Sequence, residues 1–201
     1  MKKSLMATAA AILFLSLSQT AHAQSGNMWS DFYAGGYGGY GWANADMSGG
    51  PTFDVNGLDY GLLIGYELGG LTSKPFGLNG ALEFHYGWSN ADETRTVGLG
   101  TVKVSKDHEW GLSFRPGLAF ISEHSPMGLK PYGILGYRRT EFDTTGVGND
   151  QFNGFELGIG TELMASSNFG TRLDYTHVFY ASKSGIDPDD NDLRLGVVFH
   201  F

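Results

Sequence analysis

The sequence predicts an all-β chain that closes into an eight-stranded antiparallel up-and-down transmembrane β-barrel. Three observations predict it. The last nine residues, Leu193 to Phe201, place an apolar residue at every odd position and end on an aromatic carboxyl terminus, the pattern of a strand with one greasy face. Comparable alternation recurs in about eight segments of roughly 10 to 14 residues, the length a tilted membrane strand needs. No stretch reaches the roughly 20 consecutive apolar residues of a spanning helix.

The segments fall at 31–43, 56–69, 77–89, 106–121, 128–142, 151–164, 169–181 and 191–201, an even number, as a single-chain bacterial barrel requires. The first carries Phe32, Tyr33, Tyr37, Tyr40 and Trp42 on both faces, so its phase is open. The second puts Leu58, Tyr60, Leu62, Ile64, Tyr66 and Leu68 on one face, the third Leu78, Leu82, Phe84, Tyr86 and Trp88. The fourth gives Trp110, Leu112, Phe114, Leu118 and Phe120. The fifth is untidy: Arg138 and Arg139 are consecutive, so one must face lipid or the interface. Pro116 and Pro131 interrupt strands that have no free edge in a closed barrel, which calls for a bulge near the periplasmic end. The sixth and seventh continue with Phe155, Leu157, Ile159 and Leu163, then Phe169, Leu173, Tyr175 and Phe179.

A soluble sandwich also alternates. A long, Leu-rich apolar face with Tyr and Trp toward segment ends favours a membrane, because amphipathic rings sit at its interfaces. The opposite phase mixes both charges with glycine. That suits the narrow lumen of an eight-stranded barrel, which side chains just fill, and buried charges must pair. The expected salt-bridge network is Glu67, Glu83, Arg115, Glu156, Glu162, Arg172, Asp174 and Arg194, leaving no open pore. Connections 44–55, 90–105, 143–150 and 182–190 are expected outside, and the mostly shorter 70–76, 122–127 and 165–168 inside.

Residues 1–23 read as a secretory signal, with Lys2 and Lys3 before an apolar stretch and Ala21-His22-Ala23 as the cleavage site. Residues 24–201 then form one barrel domain. The formal net charge of −8 becomes −10 without those two lysines, which argues against a nucleic-acid partner. With Cys 0, no disulfide holds the exported chain, so a large core or a closed sheet must. Thirty-one glycines and 14% aromatics beside only 17% charged residues point to tightly packed strands, since soluble domains carry roughly 25% charge.

The opening Trp29-Ser30-Asp31-Phe32-Tyr33-Ala34-Gly35-Gly36-Tyr37-Gly38-Gly39-Tyr40-Gly41-Trp42 resembles the W-x-G-F-Y-x-G-x-x-x-G-Y-x-W start of small bacterial outer-membrane β-barrel proteins, the OmpA-like, opacity-type porin family, with Asp31 where that start has glycine. The finish, Arg172-Leu173-Asp174-Tyr175-Thr176-His177 through Leu193 to Phe201, is similar to the same family's closing motif. The resemblance implies an eight-stranded barrel in a Gram-negative outer membrane. It implies that the assembly machinery reads the terminal strand, with Leu195, Val197, Phe199 and Phe201 as the signal. It implies no common reaction.

Lipid A deacylases with this architecture carry H-x-S-N-A, where this chain reads His177-Val178-Phe179-Tyr180-Ala181. Phe179 replaces the nucleophilic serine, so His177 has nothing to activate and reads as an interfacial histidine. The run Asp187-Pro188-Asp189-Asp190-Asn191-Asp192 partly imitates a calcium loop but lacks its sixth-position glycine and twelfth-position Glu, so a solvated loop is the simpler reading. Gly158-Ile159-Gly160 and Gly98-Leu99-Gly100 lack a third glycine and a following helix. His85, His108, His124 and His200 show no metal-ligand spacing. No catalytic residue, cofactor or metal is expected.

The leading expectation is a non-enzymatic integral barrel with a structural or surface-interaction role. Its partners are outer-membrane lipid and lipopolysaccharide, the assembly machinery, and an extracellular ligand that the sequence does not name. A lipid A-modifying enzyme (acyl hydrolase or transferase) and a soluble lipocalin-like calyx are the alternatives. The charged inner phase disfavours an apolar calyx.

Overall fold

A computed structural model describes residues 32–47, 52–68, 72–73, 76–97, 100–121, 127–144, 148–166, 168–183 and 186–201. The signal segment 1–23 and Trp29, Ser30 and Asp31 of the opening motif lie outside the described residues. The strands are β1 (Phe32–Met47), β2 (Thr52–Leu68), β3 (Thr72–Ser73), β4 (Phe76–Ser89), β5 (Asp92–Val97), β6 (Gly100–Ile121), β7 (Gly128–Thr144), β8 (Gly148–Met164), β9 (Phe169–Tyr180) and β10 (Ile186–His200).

Neighbours pair antiparallel in chain order, and β1 pairs with both β2 and β10, which closes the sheet. β4 and β5 are one barrel strand interrupted at Asn90 and Ala91, both pairing with β2 and β6. β3 only forms a small hairpin with β4. The result is a closed eight-stranded barrel, a shape that satisfies every ladder hydrogen bond without an exposed edge.

Alternation fixes which side chains face lipid. Leu58, Leu62, Leu112, Leu157, Leu173 and Leu195 point outward and are exposed, while Glu67, Glu83, Arg115, Glu162 and Arg172 point inward and are buried. β1, whose phase the sequence leaves open, turns Tyr33 and Tyr37 inward and Phe32, Tyr40 and Trp42 outward. Arg138 enters the lumen, fully buried, and Arg139 stays on the outer wall bonded to Gln151. Placing an Arg at Leu62 or Leu112 should therefore cost about 2–4 kcal/mol. Urea unfolding of the variants in lipid vesicles measures it, and unchanged stability would contradict the lipid-facing assignment.

Three of the four outer hairpins share one device. Tyr40 donates to Asn56 (2.8 Å), Tyr137 to Asn153 (2.7 Å) and Tyr175 to Asn191 (2.9 Å), each diagonally across its hairpin. In the remaining hairpin Tyr86 stacks on His108, with ring centroids 6.0 Å apart. A phenol with its ring toward hydrocarbon and its hydroxyl held toward water marks an interface, so these four pairs ring the outer boundary of the apolar belt.

Beyond that ring the segments expected as loops are mostly strand. Pairing runs out to Asp46↔Thr52, Val97↔Gly100, Thr144↔Gly148 and Met47↔Ile186. The physical reason is a reversal of polarity. Ala43, Phe53, Val55, Ala91, Val104, Phe142, Phe152, Val178 and Tyr180 now point inward and form a buried apolar cluster. Asp54, Asn56, Asp92, Lys103, Asp107 and Glu141 cover the outside of the same strands. A strand boundary drawn where outward leucines stop ends too early, because the ladder continues in water with its faces exchanged. The acid run expected as a solvated loop is part of β10, with Asp190 and Asp192 pointing inward.

The prolines also differ from expectation. Phe114↔Leu135 and Gly117↔Tyr132 keep one offset across Pro116, so no bulge forms there. Pro116 lies opposite Gly133, where even a Cβ would stand 3.8 Å from the ring, in ordinary contact. The register shift between β6 and β7 comes at Asp107, between Lys106 and His108, where a bulge turns both Lys106 and Glu109 inward.

Candidate functional site

The lumen is the densest concentration of charge among the described residues, and the barrel builds it from inward positions of every long strand. Glycine makes space for it. Tyr33 lies over Gly65, Tyr37 over Gly61 and Gly87, and Tyr132 over Gly160, positions where any Cβ would collide with the ring. The rings in turn carry guanidinium groups: Arg172 sits 4.5 Å from the Tyr33 centroid, Arg194 4.7 Å from Tyr37 and Arg115 5.3 Å from Tyr132.

The lower layer centres on Arg115 and Arg172, which share Glu83. Arg115 reaches Glu83 at 2.6 Å and Asp174 at 2.8 Å, and Arg172 bonds Glu83 and reaches Glu162 at 2.8 Å. Lys130 bonds Glu67 and lies 3.6 Å from Glu162, which also meets His200 Nε2 at 2.7 Å. Tyr33 donates to Glu83 at 2.9 Å, and Tyr132 donates to Asp174.

The upper layer centres on Lys106. Its Nζ lies 2.7 Å from Asp190, 3.0 Å from Asp59, 3.1 Å from Glu109 and 3.5 Å from Asp192. Arg138 bonds Glu156 and Asp192 and donates to Thr176 at 3.0 Å. Arg194 bonds Glu109 and reaches Asp192 at 3.0 Å. Glu156 and Arg194 thus belong to this layer, with Arg138 and Asp192 between them. Above it stands the apolar cluster of Phe53, Phe142, Phe152 and Tyr180. Between the layers lies His85, fully enclosed and edge-on to Tyr37 at 6.3 Å. Beside it is a cavity of about 10 Å³, close to the smallest that holds one water.

The expected salt-bridge network omits Asp59, Lys106, Glu109, Lys130, Arg138, Asp190, Asp192 and His200. A parity count from Tyr137 would have turned Arg138 inward. The Asp107 bulge hides Lys106 and Glu109, because a regular strand cannot turn both the same way.

Outside the barrel, His177 Nδ1 lies 2.8 Å from Asn191 Oδ1, and its ring meets Phe179 edge-on at 4.2 Å. It is part of the interfacial ring, packed against an amide and a phenyl. His108 lies 3.4 Å from Asp107 and 3.5 Å from Glu141. Hydrogen bonds from Gln151 and Asn149 hold the Glu141 carboxyl below its ordinary range. Leu195, Val197 and Phe199 all face outward on β10, and the Phe201 amide donates to Phe32 O at 3.0 Å.

A protein-family model described as outer membrane protein beta-barrel domain matches residues 7–201. Among solved structures, neisserial surface protein A is similar at 18% identity, covering 85% of this chain and 97% of that one, with a TM-score of 0.49. The attachment invasion locus protein Ail of Yersinia pestis, in complex with the heparin analogue sucrose octasulfate, is 15% identical, covering 85% and 99%, with a TM-score of 0.46. The outer membrane enzyme PagL is 18% identical, covering 81% and 99%, at 0.42. No curated protein matches the chain.

Proposed function

The chain belongs to the outer membrane protein β-barrel family, and from that premise we propose a non-enzymatic integral barrel of a Gram-negative outer membrane, sealed along its axis, that presents its water-facing rim as an interaction surface. One observation carries the reading: the lumen is filled by paired charges from Glu67 up to Asp190 and capped by the apolar cluster around Phe142. A filled lumen offers no passage and no cleft for a substrate, so the surfaces left for partners are the lipid belt and the outer rim.

In this reading residues 1–23 export the chain and residues 24–201 form the barrel. The eight residues Glu67, Glu83, Arg115, Glu156, Glu162, Arg172, Asp174 and Arg194 act structurally as part of the plug. Leu195, Val197, Phe199 and Phe201 serve the assembly machinery. Their outward row on the last strand, ending on an aromatic, supports this role because it stays accessible until that strand meets β1.

Gel mobility of the outer-membrane fraction in detergent, with and without boiling, tests the placement. A shift appearing only on boiling is expected of a closed barrel. A soluble periplasmic protein without a shift would overturn the reading. Lipid A mass spectra from cells with and without the gene are expected to be identical, and a lost or gained acyl chain would replace the structural role with a lipid A-modifying one.

A further inference from the structure

We propose that a hollow in the lipid-facing wall holds one acyl chain of lipid A. The proposal rests on the outer-membrane placement above and names a site within it. The outward row of β1 reads Phe32, Ala34, Gly36, Gly38, Tyr40 and Trp42, so two successive outward positions carry no side chain. They form the floor of a hollow of about 480 Å³ walled by Tyr60, Leu62, Trp88, Leu195 and Val197.

Contacts within the chain do not require those glycines. A Cβ on Gly36 would stand 3.5 Å from its nearest neighbour, the Gly61 carbonyl oxygen, and one on Gly38 4.0 Å from the Asp59 carbonyl oxygen. Inward Gly35, Gly39 and Gly41 are different, since a Cβ there would run into Val197, Leu193 or Asp59. Glycine weakens a strand interior, and where its own sheet does not need it, it marks a close approach by something else.

Position and shape identify the occupant. The hollow is continuous with the leucine-rich belt and opens beneath the stacked pair Tyr60 and Trp88 (6.0 Å, 26°), at the level of the outer tyrosine ring. From there it descends along β1 toward mid-membrane, so its occupant enters from the outer leaflet, where the lipid is lipid A. An unbranched hydrocarbon lying along β1 fills the trough and covers the exposed backbone.

Two single-tryptophan proteins test the site, one keeping Trp88 in the wall and one keeping Trp110 on the outer face of β6, the other three tryptophans being replaced by Phe. Each is refolded into vesicles of brominated-acyl phosphatidylcholine, which quenches both, and unbrominated lipopolysaccharide is added. Trp88 is expected to recover half its fluorescence at a several-fold lower lipopolysaccharide fraction than Trp110. Filling the trough with Gly36→Leu and Gly38→Leu is expected to bring the Trp88 curve onto the Trp110 curve. Gly38→Ala, a smaller change, should move it partway, and heat-dependent mobility verifies that each variant is folded. Parallel recovery of the two tryptophans overturns the site, as does an early Trp88 recovery that survives filling. Equal recovery of Trp88 with unbrominated phosphatidylcholine overturns the assignment to lipid A. If neither tryptophan is quenched at the start, the membrane placement itself fails, and this proposal with it.

Discussion

Arg138→Leu is expected to destabilise the barrel by about 3–5 kcal/mol, the cost of leaving buried charges without their partner. Arg138, on β7, is fully buried and bonds Glu156 on the adjacent β8 and Asp192 on the non-adjacent β10. Its layer already sets Lys106, Arg138 and Arg194 against Asp59, Glu109, Glu156, Asp190 and Asp192. Removing a cation deepens that excess of acid in a place water does not reach. Arg138→Leu combined with Glu156→Leu should recover part of the loss, since an apolar pair can replace an ion pair that carried its own desolvation cost. Urea unfolding of the single and double variants in vesicles measures both, and a single variant as stable as the parent would mean that the layer is not dry.

The cap above the membrane yields an effect of the same size from opposite chemistry. Phe142 packs edge-on against Phe152 (5.8 Å) and Tyr180 (6.3 Å) within the apolar cluster. Phe142→Ala is expected to cost about 3–5 kcal/mol, transfer energy plus the cavity left behind. The neighbouring outward Asp143→Ala should change stability by no more than about 0.5 kcal/mol. Below the ring of tyrosines the sensitivity reverses: an outward leucine resists a charge and an inward position requires one. Thermal unfolding of the pair of cap variants in detergent checks the contrast. Equal effects would mean that the ends of these strands are frayed.

Most of the barrel is legible in the chain because, between the tyrosine ring and the inner turns, period-two alternation maps directly onto lipid and lumen. Glu83, Arg115, Glu162 and Arg172 share strands with predominantly apolar outward rows, so their direction follows from parity alone. The upper layer is not legible in this way. The bulge at Asp107 exchanges the faces of β6 partway along, and nothing in Lys106-Asp107-His108-Glu109 distinguishes a bulge from regular strand. Asp190 and Asp192 sit in a Pro- and Asp-rich run whose composition imitates a loop, and pairing with β1 keeps it in the sheet. The cap is missed because inward phenylalanines beside outward acids look, in a membrane protein, like the end of a strand. The β1 phase is ambiguous for a local reason: Tyr33 and Tyr37 are aromatic on the lumen side because glycines on the neighbouring strands β2 and β4 leave room for their rings.

The polarity reversal at the tyrosine ring also makes insertion a one-way step. Once the outer hairpins have crossed and gathered Phe53, Val55, Phe142, Phe152 and Val178 behind a wall of Asp54, Asp92, Lys103 and Glu141, the finished end cannot slide back without dragging that charged wall through hydrocarbon. The cap therefore works as a rivet head formed after passage. It sets the barrel's depth from the water-facing side, because lowering it would bury the same charged wall.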